Sequence, residues 1–143
     1  PPFNVVRLAY VELTVTDLAA SRAFYADTLG FQVTHEDAAI LALRAMEERG
    51  HHCIVLRKAP AAAVNVLGFR LYDAPDLDKA ARWFQDKGLP VQFLERPWQG
   101  RTLRTCDNLG IPLEFYVDME RLPAIHQKYK ARNRPSSEGL KTR

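Results

Sequence analysis

The sequence predicts an α+β fold in which two copies of a βαβββ module lie side by side. The stretch SRAFYADTLGF at residues 21–31 recurs as AARWFQDKGL at residues 80–89, so that Gly30 lies over Gly88. Around each stretch, an alternating strand precedes an amphipathic helix and three short extended runs follow it. A repeat of roughly sixty residues is too large for a solenoid unit. The two modules are therefore expected to form one domain, over residues 1–118.

The first module is predicted over about residues 5–58. Apolar and polar residues alternate from Val11 to Val15, which is the periodicity of a strand. Asp17 is a candidate N-cap for the following helix, and Gly30 is placed to end it. Three further strands are predicted at residues 31–36, 39–44 and 51–58.

The second module is predicted over about residues 64–118, after an APAAA connector. Its first strand is placed at residues 65–72. The next helix has Leu77, Ala80 and Phe84 at helical spacing and ends at Gly88. Three more strands are expected at residues 91–95, 101–106 and 113–118, and a terminal helix at residues 119–130. The ring side chains expected in the core of the two modules are Phe24, Phe69, Trp83 and Phe115.

The composition is that of one ordinary globular domain. Of 143 residues, 47% are hydrophobic and 26% are charged, which permits a sizeable core. No run of eighteen apolar residues is present, and the first residues lack the pattern of a signal peptide, so no membrane association is expected. Cys53 and Cys106 have no metal-type spacing and are predicted to be reduced. These features favour a cytoplasmic location.

The net charge of +3 comes from the end of the chain. Residues 119–143 contain seven basic and two acidic residues, a net of +5, while the preceding residues have a net of −2. A basic tail can bind nucleic acid, but no aromatic stacking pattern or recognition motif accompanies it. We therefore expect a solvated, flexible tail and no nucleic-acid partner.

Several segments resemble the vicinal oxygen chelate superfamily, which includes glyoxalase I, bleomycin-resistance proteins and extradiol dioxygenases. They are the first strand ending in Thr-Asp-Leu, the helix at residues 21–31, and DNLGIPLEF at residues 107–115. More narrowly, residues 5–31, the run HHCIVLR at residues 51–57, and residues 119–129 are similar to the amino-terminal domain of the homoprotocatechuate (3,4-dihydroxyphenylacetate) 2,3-dioxygenases.

The resemblance implies a mixed eight-stranded sheet that curls around a cleft. In that dioxygenase family each polypeptide has two such domains, and only the carboxy-terminal one holds Fe(II) or Mn(II). The resemblance therefore implies that this chain is a non-catalytic amino-terminal domain without a cofactor of its own. The full-length enzymes of that family are active. Its expected partners are a catalytic carboxy-terminal domain and sister subunits.

Metal-binding members of the superfamily line the cleft from the first and last strands of each module. Because side chains alternate along a strand, the residues opposite the helices are expected to face the cleft. These predicted cleft-lining residues are Tyr10, Glu12, Ile54, Val66, Arg70, Glu114 and Tyr116.

The four positions that correspond to metal ligands are Tyr10, Ile54, Val66 and Glu114. A divalent metal of the extradiol type needs two imidazoles and one carboxylate on one face. Tyr10 and Val66 stand where the resemblance places histidines, so Glu114 alone matches a ligand type and no metal site is expected. A buried carboxylate needs a partner, and Arg70 or Arg104 is expected to pair with Glu114.

No other polar residue is predicted to be catalytic. His51 and His52 are neighbours on a predicted strand and should face opposite sides. His35 and His126 lack partners nearby in sequence, and the loop at residues 98–100 is interpreted as surface decoration.

Two alternatives remain open. The chain could be a free-standing, metal-free protein of the bleomycin-resistance type that binds a small aromatic molecule between Tyr10, Tyr116 and Trp98. It could also be a metal-dependent glyoxalase-like or epimerase-like enzyme, which the missing histidines disfavour.

Overall fold

In the computed structural model, which describes residues 1–125, a single sheet of eight strands runs through both modules. The strand order is β2-β3-β4-β1-β5-β8-β7-β6. In the first module the elements are β1 (Val5–Val15), α1 (Leu18–Arg22), β2 (Gln32–Glu36), β3 (Ile40–Arg44) and β4 (Ile54–Lys58). In the second they are β5 (Ala63–Leu71), α2 (Ala74–Asp86), β6 (Gln92–Arg96), β7 (Gly100–Cys106) and β8 (Pro112–Tyr116).

The two modules join through their first strands. β1 and β5 pair in antiparallel fashion at the centre of the sheet, and each also pairs in parallel with the last strand of its own module, β4 or β8. The sheet is therefore mixed, and the predicted fold class is confirmed.

The first helix begins at its predicted N-cap, and a glycine follows each helical stretch as predicted. The Asp17 carboxylate accepts a hydrogen bond from the backbone N–H of Ala20 at 3.0 Å, and Asp73 accepts one from Asp76 at 2.9 Å. Gly30 and Gly88 follow the helices with φ angles of 80° and 71°, a conformation that favours glycine. Asp17 and Asp73 are equivalent N-caps and align the first strands of the two modules, whereas the stretch from N-cap to glycine is two residues longer in the second module.

Within residues 1–125, two of the three hydrophobic core clusters lie on the face of the sheet that carries the helices, and the third, around Tyr10, lies on the opposite face. Beneath α1, buried Leu41, Leu43 and Leu56 pack with Leu13 and Tyr25. Beneath α2 the core is aromatic, because the ring of Phe115 lies 5.4 to 5.8 Å from the rings of three neighbours. These neighbours are Phe3, Phe69 and Phe84.

Two of the predicted core residues are exposed. Phe115 is buried and Phe69 packs against the core, but Phe24 is 52% exposed and Trp83 is 36% exposed. After α1 the chain continues as a π-helical segment, Ala23–Thr28, in which Tyr25 faces the sheet and Phe24 lies outside it. In α2 the inward residue is likewise the second of the aromatic pair, Phe84.

The segment that follows β8 is not the start of the predicted terminal helix. Arg121 forms an isolated β-bridge with Gly50, and the N–H of Leu122 donates to the carbonyl of Arg49 at 2.9 Å. These backbone bonds hold the segment extended across the β3–β4 loop. The rest of the predicted helix, and the basic tail, lie outside the described residues.

Two other sequence predictions bear on the described part of the chain. Cys53 and Cys106 are both free thiols. Among residues 1–125, no helix has the length and apolar character needed to cross a membrane.

The core packing makes a testable contrast between two phenylalanines. Phe115→Ala removes a buried ring from the aromatic core and should lower the free energy of unfolding by about 3–5 kcal/mol. Phe24→Ala removes an exposed ring and should cost less than about 1 kcal/mol. Urea unfolding monitored by circular dichroism measures both values. Equal losses in the two variants would contradict this placement of the rings.

Candidate functional site

The cleft face of the sheet is built around Tyr10 of β1 and Gly68 of β5, which are paired across the central strands. A Cβ atom at Gly68 would collide with the ring of Tyr10, so glycine is what allows this ring to lie flat on the sheet. The ring is buried and packs with Val66 and Tyr116. Tyr10 therefore occupies the floor of the cleft.

Glu114 of β8 is fully buried beside Tyr10 and is surrounded by donors. The Arg96 guanidinium donates from Nε to the two carboxylate oxygens at 3.1 and 3.2 Å, and its Nη2 makes a further contact with Oε1. The Tyr10 hydroxyl donates to Oε2, and Nη1 of Arg104 lies 3.5 Å from Oε1. One carboxylate is thus held by two arginines and a phenol.

Gln99 extends this network. Its side-chain amide donates to the Tyr10 hydroxyl at 3.1 Å and to Oγ1 of buried Thr102 at 2.9 Å. Burial raises the pKa of Tyr10, and the negative charge of Glu114 raises it further. The phenol therefore stays protonated at neutral pH and remains a hydrogen-bond donor to Glu114.

Glu12, the other buried carboxylate of the cleft, is also paired. It accepts from Nε of Arg57 at 3.1 Å and from the side-chain amide of Asn65. Burial alone would raise the pKa of Glu12, but the hydrogen bond and charge of Arg57 outweigh it and lower the pKa. Glu12 is ionised and already satisfied at neutral pH.

Three histidines surround Trp98, which lies in the β6–β7 turn of the second module. The ring of Trp98 stacks on His51 with centroids 4.1 Å apart and planes at 5°, and lies 4.9 Å from His35 and 6.1 Å from His52. We call these four residues the Trp98 cluster. The Trp98 cluster thus connects the β6–β7 turn of the second module to β2 and to the segment before β4 in the first module.

The Trp98 turn is held in place by backbone as well as rings. Trp98 has a φ angle of 65°, which is uncommon for a residue other than glycine. Its carbonyl accepts a hydrogen bond from the N–H of Glu120 at 2.6 Å. The interpretation of residues 98–100 as surface decoration is therefore wrong, because Trp98 and buried Gln99 close the cleft.

The predictions for the histidines also need correction. Residues 51–53 form a bend before β4 rather than part of the strand, so His51 and His52 do not alternate. Their Nδ1 atoms lie 3.1 Å apart, at hydrogen-bond distance, and both residues are buried. His35 has a partner close in sequence, since its Nε2 lies 2.9 Å from Asp37. His126 lies outside the described residues.

Little space remains in the cleft. Beneath Trp98, between Tyr10, His52 and Arg96, the structure leaves a cavity of about 40 Å³. Sites for small organic ligands usually have about 300–1,000 Å³. The part of the cleft between Tyr10 and Trp98 is therefore filled by its own side chains.

The family model for the Glyoxalase/Bleomycin resistance protein/Dioxygenase superfamily matches residues 7–115, which cover both modules. The chain belongs to this superfamily. The resemblance noted in the sequence is thereby confirmed. Among solved structures, homoprotocatechuate 2,3-dioxygenase from Brevibacterium fuscum, in complex with 3,4-dihydroxyphenylacetate, is 39% identical with a TM-score of 0.86. The match covers 90% of this chain and 41% of that one.

Two curated relatives also match most of this chain. The manganese-dependent 2,3-dihydroxybiphenyl 1,2-dioxygenase of Geobacillus genomosp. 3 is 26% identical over 128 residues, which cover 87% of this chain and 41% of the relative. The metapyrocatechase of Pseudomonas sp. (strain CF600) is 27% identical over 121 residues, covering 82% and 39%. The chain thus spans about two fifths of the length of the relatives it matches.

Alignment of the two modules corrects one of the four positions predicted to correspond to metal ligands. Glu12 and Gly68 are equivalent, because each lies the same number of residues before the N-cap of its module. Glu12 pairs with Val55 on β4, and Gly68 pairs with Glu114 on β8. Val55 is therefore the residue equivalent to Glu114. Ile54 was predicted in the cleft but packs against the core beneath α1. The shift arises because the bend at residues 51–53 offsets the alternation by one residue.

The residues present do not fit the metal that the superfamily relationship suggests. Of the four corrected positions, Val55 and Val66 have no donor atom, the Tyr10 phenol is neutral, and Glu114 is bound by Arg96. Within residues 1–125, no three or more His, Cys, Asp or Glu side chains are grouped so that they could hold a metal ion.

Arg70 and Tyr116 were also predicted in the cleft, with Arg70 as a partner for Glu114. Nε of Arg70 instead donates to the carbonyl of Val117 at 3.2 Å. Arg70 and Tyr116 both line a second pocket on the same face of the sheet, and the Tyr116 ring packs against Tyr10. Of the two predicted arginine partners, Arg104 reaches Glu114. Arg96, the principal partner of Glu114, was not predicted. It lies just after the strand predicted at residues 91–95, and the local sequence gives no signal for this role.

Removal of one member of the buried ion pair should be costly. Arg96→Gln leaves the Glu114 carboxylate buried with a weaker set of donors and should lower the free energy of unfolding by about 3–5 kcal/mol. Adding Glu114→Gln should restore much of this loss, because a neutral amide replaces the unpaired charge.

Denaturant titrations of both single variants and the double variant measure this coupling. Arg101→Gln is the matched control, since Arg101 pairs with Asp78 at the surface and should contribute less than about 1 kcal/mol. Additive losses at positions 96 and 114 would contradict the pairing.

The histidine pair predicts acid sensitivity. Burial and the neighbouring His51 lower the pKa of His52 from its ordinary 6.5 to about 4, so the folded protein binds fewer protons than the unfolded chain between these values. Stability should be fully present above about pH 6.5 and fall by roughly 3 kcal/mol as the pH drops towards 4. Unfolding curves across this range test the slope, which His52→Asn should reduce. An unchanged pH dependence of stability in this variant would contradict the attribution of the acid sensitivity to His52.

Proposed function

We propose that this chain is a non-catalytic domain of an extradiol-type dioxygenase that acts on a catechol such as 3,4-dihydroxyphenylacetate. Its role is structural: it packs as the amino-terminal domain against a metal-containing catalytic domain and sister subunits. The observation that carries the proposal is the bidentate hold of Arg96 on Glu114, the one carboxylate at a ligand position.

The chemistry of ring cleavage explains why this observation matters. An extradiol metal centre takes two imidazoles and one carboxylate and keeps open positions for substrate and dioxygen. In this cleft the carboxylate already has a cationic partner, and the arginine cannot be deprotonated to release it. Fe(II) or Mn(II) would have to displace Arg96 and would then find only one charged ligand.

The comparisons support the structural role. This chain spans 37–41% of the solved homoprotocatechuate 2,3-dioxygenase chains, with a TM-score of 0.86, so that its counterpart there is one part of a longer polypeptide. The activity, substrate and metal of the whole protein would then depend on the portion of that polypeptide that has no counterpart here.

Exposed apolar side chains are consistent with packing against another domain. Leu8 and Val64 lie on the central strands and are 57% and 55% exposed. Their cross-strand partners, Phe69 and Leu13, pack with the core under the helices, so all four lie on the helix face. Apolar surface at the centre of a sheet is typical of an interface.

The alternative of a metal-free protein for small aromatic ligands is less well supported. The three rings that would form its stacking surfaces are engaged within the protein: Trp98 on His51, and Tyr10 with Tyr116 at 5.8 Å. A cavity of about 40 Å³ beside them is too small for an aromatic molecule.

The proposal predicts that the chain neither retains a divalent metal nor consumes oxygen. After dialysis with excess Fe(II) or Mn(II) under anaerobic conditions, metal analysis should find far less than one ion per chain. An oxygen electrode should record no uptake with 3,4-dihydroxyphenylacetate, because no centre is present to bind catecholate and dioxygen together.

An intact dioxygenase of the same family, loaded in the same way, is the positive control for both assays. Glu114→Gln separates specific from adventitious binding. Stoichiometric metal that is lost in this variant, or a yellow ring-cleavage product, would contradict the proposal.

A further inference from the structure

A second pocket lies on the cleft face beside the ends of β5 and β8 and the β3–β4 loop. Its volume is about 250 Å³, and it contains neither Glu114 nor Arg96. Four arginines, a tyrosine and a methionine contribute to its wall: Arg7, Arg49, Arg70, Arg121, Tyr116 and Met119. We call it the Tyr116 pocket.

Tyr116 is a buried residue in the wall of this pocket. The residue is 3% exposed, but its hydroxyl is not among the enclosed side-chain atoms that lack a partner, so this group is open to the pocket. A hydroxyl at a cavity wall can donate a hydrogen bond to a bound ligand or to water. Burial raises the pKa of Tyr116 to about 12, and the hydroxyl is therefore a donor at neutral pH.

The arginines supply donors that the protein itself does not use. Arg7 forms an ion pair with Glu48, but Arg70 uses only Nε, for the carbonyl of Val117. In the described part of the chain, Arg49, Arg70 and Arg121 have no carboxylate at ion-pair distance. Arg70 and Tyr116 are paired across the parallel strands β5 and β8, and both line the pocket.

The acidic residues of the pocket limit the charge of what it can hold. Glu48 accepts from Arg7 and from the N–H of Gly50 at 2.8 Å, and Asp118 accepts from the N–H of Met119 at 2.9 Å. Together with Glu47 they leave the lining with a small positive excess. A dianion would be repelled by these carboxylates, whereas a single negative charge is matched.

We propose that the Tyr116 pocket binds a small organic monocarboxylate. The carboxylate lies between the Tyr116 hydroxyl and the Arg70 guanidinium, with Arg121 at the rim, and the apolar part of the ligand lies against Met119. The volume suits a small organic acid and is below that of sites for larger ligands. This site is separate from the network around Glu114 and does not depend on the proposed structural role.

Titration of the full chain with sodium benzoate at constant ionic strength tests the proposal. Two-dimensional ¹H–¹⁵N NMR should show saturable shifts of the amides of Gly50, Arg70 and Tyr116 in the millimolar range or below. Tyr116→Phe keeps the ring and removes one hydrogen bond, so binding should weaken about five- to tenfold. Arg70→Gln removes a charged donor and should weaken binding about tenfold or more.

Arg101→Gln, which removes an arginine outside this pocket, should leave the benzoate affinity unchanged. The spectra of the variants verify that each is folded, and Tyr116→Phe remains informative if Arg70→Gln is not. Absence of saturable shifts, shifts confined to other residues, or an unchanged affinity in Tyr116→Phe would overturn the proposal. Inorganic phosphate that binds as tightly as benzoate would overturn the assignment to a monocarboxylate.

Discussion

A carboxylate buried at the centre of the cleft, Glu114, is the constraint that organises this side of the molecule. An ionised carboxylate without water must have charged or hydrogen-bonding partners, or the fold loses several kcal/mol. Arg96, Arg104 and the Tyr10 hydroxyl supply them. Tyr10 reaches its place only because its neighbour on the next strand is Gly68. The burial of Glu114 therefore explains why two arginines and the Tyr10 hydroxyl surround it and why a glycine lies beside Tyr10.

The same interaction links the modules. Arg96 ends β6, at the edge of the sheet, and the turn that follows it carries Trp98 across to His51 and His35 of the first module. Gln99 then ties this turn to Tyr10. Closure of the cleft and contact between the modules are thus the result of one hairpin that binds both Glu114 and the Trp98 cluster. The small volume left in the cleft follows from this closure.

Features set by local sequence were predictable. The duplication, the N-cap Asp17, and the glycines after each helix depend on neighbouring residues, so the fold class could be derived from them. The placement of Phe24 could not, because the sequence gives no sign that α1 continues as a π-helical segment. Likewise the bend before β4 shifts the alternation by one residue, so that Val55 instead of Ile54 lies at the position equivalent to Glu114.

Partners distant in sequence were the least predictable part of the site. A buried glutamate requires a cationic partner, but the sequence alone does not distinguish among the several arginines that could provide it. The choice of Arg96 over Arg70 depends on how far the β6–β7 hairpin reaches over the sheet, and that is a property of the tertiary structure. The Nδ1 contact of His51 with His52 depends in the same way on a local bend.

The central claim is that Arg96 occupies the position where a metal would have to bind Glu114, and a designed site tests it most directly. Tyr10→His and Val66→His would provide two imidazoles beside Glu114, and this variant is made with Arg96 and with Arg96→Gln. Isothermal titration with Mn(II), and the shift of the melting temperature on adding Mn(II), measure binding in both. The account predicts one bound ion when Arg96 is removed and affinity weaker by roughly tenfold or more when it is retained. Equal Mn(II) affinity in the two variants would contradict it.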